Sequence, residues 1–420
     1  MNRYFQQQAL FPPQIFQPPS LNLGMILVIP AREEPQLLST LIGLTRCALP
    51  SCDVEVIVVC NGSETDGPEI RAQQEKVAFL VEEWAEKWPG KSRLRFFLLW
   101  HPDLPRKQAG VGLARKIGMD EACFRLEKAG NPRGLVVCYD ADSRCDKNYL
   151  TELEAFFLRR PDCEACGIYF EHPLEGVDYP DGVYEAIAEY ELHLRYFIQA
   201  QRFAGFPFAY HTVGSSMAVR SDAYQRQGGM NRRQAGEDFY FFHKFTPLGA
   251  VGTLTTTRVI PSPRPSHRVP FGTGRAVRER LNTKKSYRTY HPELFLHLKA
   301  FRSDVPALFE AKEHQVQTLF QNWHPSLQAF LEEQDFHANL QEIRSHSAKQ
   351  DTFENRFFRW FNAFRLMKYL HHARENGFPD VPVGEAAEWL LGELKLRAEG
   401  SSIRELLLKY REIERKVFSS

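Results

Sequence analysis

The stretch Met25-Ile-Leu-Val-Ile-Pro30-Ala-Arg-Glu-Glu34 decides how the first half of the chain reads. Five apolar residues in succession, with no polar alternation, describe a strand covered on both faces. A charged turn follows at once. The same grammar recurs down the chain. Val54–Cys60 is an apolar run that ends in Asn61-Gly-Ser, Arg93–Trp100 is a third, and Leu135–Tyr139 is a fourth that ends in Asp140-Ala-Asp142. Between them lie segments with helical spacing of apolar residues: Glu33–Arg46, Pro68–Trp88 and Gln108–Lys128. Strand–helix–strand order at this spacing predicts an α/β fold with a mostly parallel, doubly wound sheet and right-handed connections.

The remaining features bound the answer. With 420 residues the chain has room for two or three domains. Its 53 basic and 52 acidic side chains leave a formal net charge of +1, so no global basic field for nucleic acid exists. No apolar run approaches the ~20 residues that span a bilayer. Met1–Ser20 is rich in Gln and Pro and lacks the basic-then-apolar pattern of a signal peptide; it reads as an irregular arm, and the protein as cytoplasmic. All eight cysteines fall between Cys47 and Cys166. Cys163 and Cys166 form one C-x-x-C without the second pair that structural zinc requires, so the set reads as reduced thiols. After about residue 290 the strands stop. Val316–Phe330, Phe353–Leu370, Glu385–Leu396 and Ile403–Val417 carry helical periodicity. The predicted organisation is an arm over residues 1–22, an α/β domain over 23–290 and a helical domain over 291–420. The arginine-bearing stretch Phe357–Phe361 reads as buried core or as a peripheral membrane contact.

In open α/β sheets, ligands bind beyond the carboxyl ends of the strands. The first such end is Pro30–Glu34, where Glu33 and Glu34 either complement a helix dipole or line a site. The second, Asn61–Asp66, suits a tight turn, with Asn61 also able to reach a base edge or a ribose. The third is Lys107-Gln-Ala-Gly110-Val-Gly112-Leu-Ala-Arg115, where glycines and cations open a helix and suit a diphosphate. The fourth is the sharpest. Asp140 and Asp142 stand at i and i+2 on one side of an extended chain, placed to face one hard divalent cation. The fifth is Gly236-Glu237-Asp238, where a carboxylate at a helix start is a cap or a general base. The sixth, Ser266-His267-Arg268, sits in a Pro/Gly-rich loop able to close over phosphates. Phe203, Phe206, Phe208 and Tyr210 read as core packing or as an acceptor platform.

The order of these motifs, from Pro30-Ala-Arg-Glu-Glu through Asn61-Gly-Ser and Asp140-Ala-Asp142 to Gly236-Glu-Asp238, resembles family 2 glycosyltransferases of GT-A fold over residues 24–275. The resemblance implies a UDP- or GDP-sugar donor, an acceptor it does not identify, and Mn2+ or Mg2+. It places Pro30, Ala31, Glu33 and Asn61 in the nucleoside pocket, Asn61 standing where relatives often hold Asp. It sets Lys107, Gly110, Gly112, Arg115 and Arg268 near the base or diphosphate. Asp140 would face ribose and metal, Asp142 would hold the metal, and His267 would complete its shell. Asp238 would be the base, with Glu237 beside it, in an inverting displacement. Two alternatives are a non-catalytic nucleotide-sugar-binding scaffold and a haloacid-dehalogenase-like phosphotransferase, whose D-x-D belongs to the first strand.

Overall fold

The computed structural model describes residues 3–89, 92–233, 236–267 and 272–417. They divide into two compact units: Met1–Gly176 with Thr212–Arg275 and Glu414–Ser420, and Val177–His211 with Ala276–Ile413.

In the first unit the apolar runs become β1 (Leu23–Ala31), β2 (Asp53–Ser63), β3 (Leu94–Leu104) and β4 (Leu135–Cys138). They are joined by α2 (Leu37–Thr45), α3 (Pro68–Lys87) and α4 (Val111–Lys128), after a short α1 (Arg3–Gln7). Further along come β5 (Arg144–Cys145), α5 (Tyr149–Arg159), β6 (Ala165–Phe170), β7 (Met217–Arg220), α7 (Ser221–Arg226), α8 (Glu237–Phe242) and β8 (Val251–Ile260). The strands form one sheet in the order β3-β2-β1-β4-β7-β6-β8-β5. β1 pairs in parallel with β2 and β4, and β2 with β3; β7 runs against β4 and β6. The chain therefore leaves β1 toward β2 and β3, then returns to β4 on the other side. That reversal is a topological switch point at the carboxyl ends of β1 and β4, the place where open α/β sheets bind ligands. The continuous apolar runs are explained: Met25–Ile29 and Val56–Val59 are completely buried, as strands covered on both faces are.

α2 starts later than its periodicity predicts. Glu33 has a φ of 51°, a left-handed backbone that no helix accommodates. α4 departs from amphipathic expectation in the other direction, because Lys116, Asp120, Glu121 and Arg125 are buried along with its apolar residues. The N-terminal segment explains this. Tyr4 Oη donates to Asp120 at 2.7 Å, and Lys116 Nζ donates to Tyr4 Oη at 2.9 Å. Phe5 stacks on Phe124 at 3.9 Å. Glu121 accepts from the backbone N–H groups of Gln14 and Ile15 at 2.8 and 3.1 Å. The segment read as an irregular arm thus begins with a helix and lies along α4, held by partners more than a hundred residues away. Local sequence carries no trace of such pairings.

The second unit is helical, apart from a short antiparallel ribbon of Arg288–Thr289 with Val381–Pro382. It includes α6 (Asp181–Phe203), whose Val183, Ala186 and Ile187 pack with Val277. This unit therefore takes in residues 177–211 as well as 276–413. Two segments that read as single helices are each broken. Pro325 and the accepting His324 ring restart one at Pro325–Glu333. Asn362, accepting from the N–H groups of Phe364 and Arg365 at 3.1 Å each, restarts the other. Phe206 meets Phe208, Phe358 and Phe361 edge-on. Phe206 and Phe208 thus belong to a core and do not form an acceptor platform. Phe357, Phe358 and Phe361 are buried as well, so the phenylalanines of that stretch are core. Among the described residues no helix is long and apolar enough to cross a membrane.

Candidate functional site

Three loops converge at the carboxyl end of the sheet, all within the first unit. Arg32, after β1, donates to the Ala109 carbonyl at 3.0 Å and to Asp66 at 2.5 Å. Asn61 at the end of β2 is buried and donates to the same Ala109 carbonyl at 3.4 Å. Asp66 in turn accepts from the Ser63 N–H at 2.8 Å and from Gln74 at 3.2 Å. Arg32 and Asp66 escaped the sequence reading, since neither type is unusual in a turn. Pro30 is half-buried and Ala31 buried at this edge. Glu33, half-buried beside them, holds the left-handed backbone noted above. A non-glycine residue in that region costs of order 1–3 kcal/mol, and such strain collects at functional sites.

A second group is organised by α4. Gly110 is its N-cap in extended conformation. Gly112 touches the backbone of the loop before α8: a Cβ there would sit 2.3 Å from the Arg233 carbonyl oxygen and 2.9 Å from that of Asn231. One turn on, the buried guanidinium of Arg115 joins Asp140, at 2.6 Å, to Glu237. Two motifs almost a hundred residues apart are thereby brought together. Arg115 faces these carboxylates, where the resemblance implies a base or diphosphate.

Gly236 starts α8 with a φ of 71°, and Asp238 follows half-buried, one oxygen accepting its neighbour Phe239 N–H at 2.8 Å. Burial first, and the Glu237 carboxylate second, raise the Asp238 pKa to about 7, against the opposing pull of Arg115. A carboxyl group poised near neutrality is matched to accepting a proton.

The third group surrounds Asp142. Arg264 bridges it, at 3.5 Å, to the buried Glu34 at 2.6 Å. This arginine lies in the loop that the sequence singled out through its neighbours His267 and Arg268. His267 is exposed, and Lys107 is exposed on its own loop. Arg268 lies outside the described residues. Among the described residues, no group of three His, Cys, Asp or Glu side chains is gathered so as to hold a metal ion. Asp140, Asp142 and His267 thus do not form a three-ligand site here.

Among the described residues, Arg32 pairs with Glu33 and Asp66, Arg115 with Asp140 and Glu237, and Arg264 with Glu34 and Asp142. The donor set, two carboxylates at a strand end, suits a hard divalent ion whose remaining shell comes from phosphate oxygens and water.

No protein-family model matches the chain, and no curated protein does. Among solved structures, the chain is similar to S. aureus TarS 1–349 in complex with UDP-GlcNAc, with 14% identity, a TM-score of 0.41, and coverage of 90% of this chain and 93% of that one. It is also similar to the mannosyltransferase PcManGT from Pyrobaculum calidifontis in complex with GDP-Man and Mn2+, with 14% identity, a TM-score of 0.36, and coverage of 99% and 92%.

Proposed function

We propose that this chain is a glycosyltransferase of the family 2 type on a GT-A scaffold. It would move a sugar from a nucleoside-diphosphate donor to an acceptor hydroxyl with help from a divalent cation. One observation carries the reading: Arg115 brings the Asp140–Asp142 strand end and the Glu237–Asp238 helix start into one charged cluster at the sheet's switch point. The motif order of the sequence supports it.

In this reading Asp142 and Asp140 hold Mn2+ or Mg2+, which when bound offsets charge on the departing diphosphate. Pro30, Ala31 and Glu33 border the nucleoside. Asn61 shapes that pocket from behind, through its bond to Ala109. Asp238 takes the acceptor's hydroxyl proton, an effect of about 10²–10⁴-fold. Arg115 holds Asp140 and Glu237 in register, and its charge limits how far the Asp238 pKa climbs. A single displacement of this kind inverts the anomeric carbon.

Thermal stability against a panel of UDP- and GDP-sugars, with and without Mn2+, tests the reading. A ligand at a hundredfold excess over its Kd adds about 2.7 kcal/mol of apparent stability. A shift that needs the metal and vanishes in Asp142→Ala is expected. Absence of any shift across the panel overturns the proposal. A shift without any turnover, including donor hydrolysis, points to a non-catalytic binding scaffold.

A further inference from the structure

All eight cysteines are free thiols, but they are not equivalent. Burial pushes the thiols of Cys60 and Cys138 up to about 12 and holds Cys166 well above the ordinary thiol range. Cys163 donates to the Ala165 carbonyl at 3.2 Å. Cys47 and Cys145 differ: the sulfurs of these two thiols lie 3.6 Å apart.

Backbone holds them there. Cys47 follows the C-cap of α2, and Cys145 is the second residue of β5, paired with Val259. The Ala48 N–H donates to the Lys147 carbonyl at 2.7 Å, so the two segments run side by side just beyond the sulfurs. Thr40 of α2 donates to the Ala141 carbonyl at 2.8 Å, inside the Asp140–Asp142 turn. Cys145 lies half-buried and Cys47 at the edge of burial. The neighbouring Cys145 thiol lowers the Cys47 pKa by hydrogen bonding, against the effect of burial.

We propose that Cys47 and Cys145 are a modification site, which a peroxide converts to a reversible disulfide that fastens α2 to the segment after Asp142. The regulatory consequence rests on the donor site proposed above. In the first step one thiolate attacks a peroxide oxygen; the O–O bond breaks, leaving a sulfenic acid and hydroxide. The second thiol then attacks the sulfenic sulfur, forming the S–S bond and releasing water. Two thiols lose two electrons and two protons, and hydrogen peroxide becomes two waters. A dithiol reductant reverses the bond by exchange. Closing from 3.6 Å to a bond of about 2.05 Å pulls β5 toward α2, three residues beyond Asp142 and at the helix that Glu34 precedes. That movement acts on the Asp142–Arg264–Glu34 group.

The test uses the full chain, reduced and then treated with a small excess of hydrogen peroxide. The remaining thiols are alkylated and the protein is digested without reductant. A Cys47–Cys145 cross-linked peptide, lighter by two hydrogen masses and lost on dithiothreitol, is expected, and it should be absent from Cys145→Ser. Recovery of both peptides alkylated, or separately oxidised with no cross-link, overturns the proposal, and the unmutated protein alone decides this. Mn2+ with UDP is then titrated against both redox forms. The oxidised form should bind more weakly by about tenfold or more, since misplacing site groups by an ångström is costly. Equal affinity in both forms overturns the regulatory half. Binding in neither form overturns the donor reading and leaves the disulfide standing.

Discussion

Arg115 and Arg125 are both buried on α4 and both pair with carboxylates, yet they end differently. Arg125 sits at the amino-terminal edge of the sheet. It holds Glu55 of β2, with one contact at 2.7 Å, and donates to the Gln17 carbonyl at 3.0 Å. Arg95 covers the same Glu55 from β3 and also donates to the Pro18 carbonyl at 3.0 Å. The central pair is enclosed: Glu55 and Arg125 are at most 2% exposed, and only Arg95, at 23%, reaches the rim. Arg115 sits at the carboxyl edge. Its partner Asp140 remains 35% exposed, and Asp238 nearby carries a raised pKa. A buried ion pair is therefore not in itself a sign of chemistry. An ion pair becomes a candidate site where one member reaches solvent and a neighbour's protonation is poised near neutrality.

The strongest way to break this comparison is Asp238→Asn. Transfer should fall by about 10²–10⁴-fold while donor affinity stays within twofold or so; steady-state turnover with an isothermal titration checks both. Normal turnover would remove Asp238 as the base.

Next comes Arg125→Met, which strands Glu55 in the interior with only Arg95. A loss of about 3–5 kcal/mol is expected by urea denaturation, with Mn2+–UDP affinity unchanged in the folded fraction. A changed affinity would make the two arginines functionally alike and dissolve the contrast.

The pH profile sharpens it. The active form of Asp238 is deprotonated, so kcat/KM should climb about tenfold per pH unit below about 7 and level above it. The same raised pKa means the folded state holds this proton where the unfolded chain does not. Its contribution to stability therefore falls as pH rises from the ordinary carboxyl range to about 7. A profile flat down to pH 5 would place the base elsewhere.

The smallest effect belongs to the arm. Tyr4→Phe removes the bonds to Asp120 and Lys116 and should cost about 1–3 kcal/mol. Thermal melting checks it, with donor binding unaltered.

What could be read from the chain alone was whatever depends on near neighbours. Unbroken apolar runs such as Met25–Ile29 declare a doubly covered strand because side chains alternate faces at every residue. Asp140-Ala-Asp142 declares two carboxylates on one side for the same reason. Asn362 and Pro325 would have announced the two helix breaks had their capping signals been weighed against periodicity. Tertiary structure alone decided which charges meet. Arg264 with Glu34, Arg115 with Glu237, and Tyr4 with Asp120 are separated by more than a hundred residues. Nothing local encodes such pairings, because a side chain's partner is chosen by the sheet order and by the surface the folded chain happens to bury. The left-handed turn at Glu33 belongs with them, since only surrounding contacts hold a non-glycine residue in that conformation.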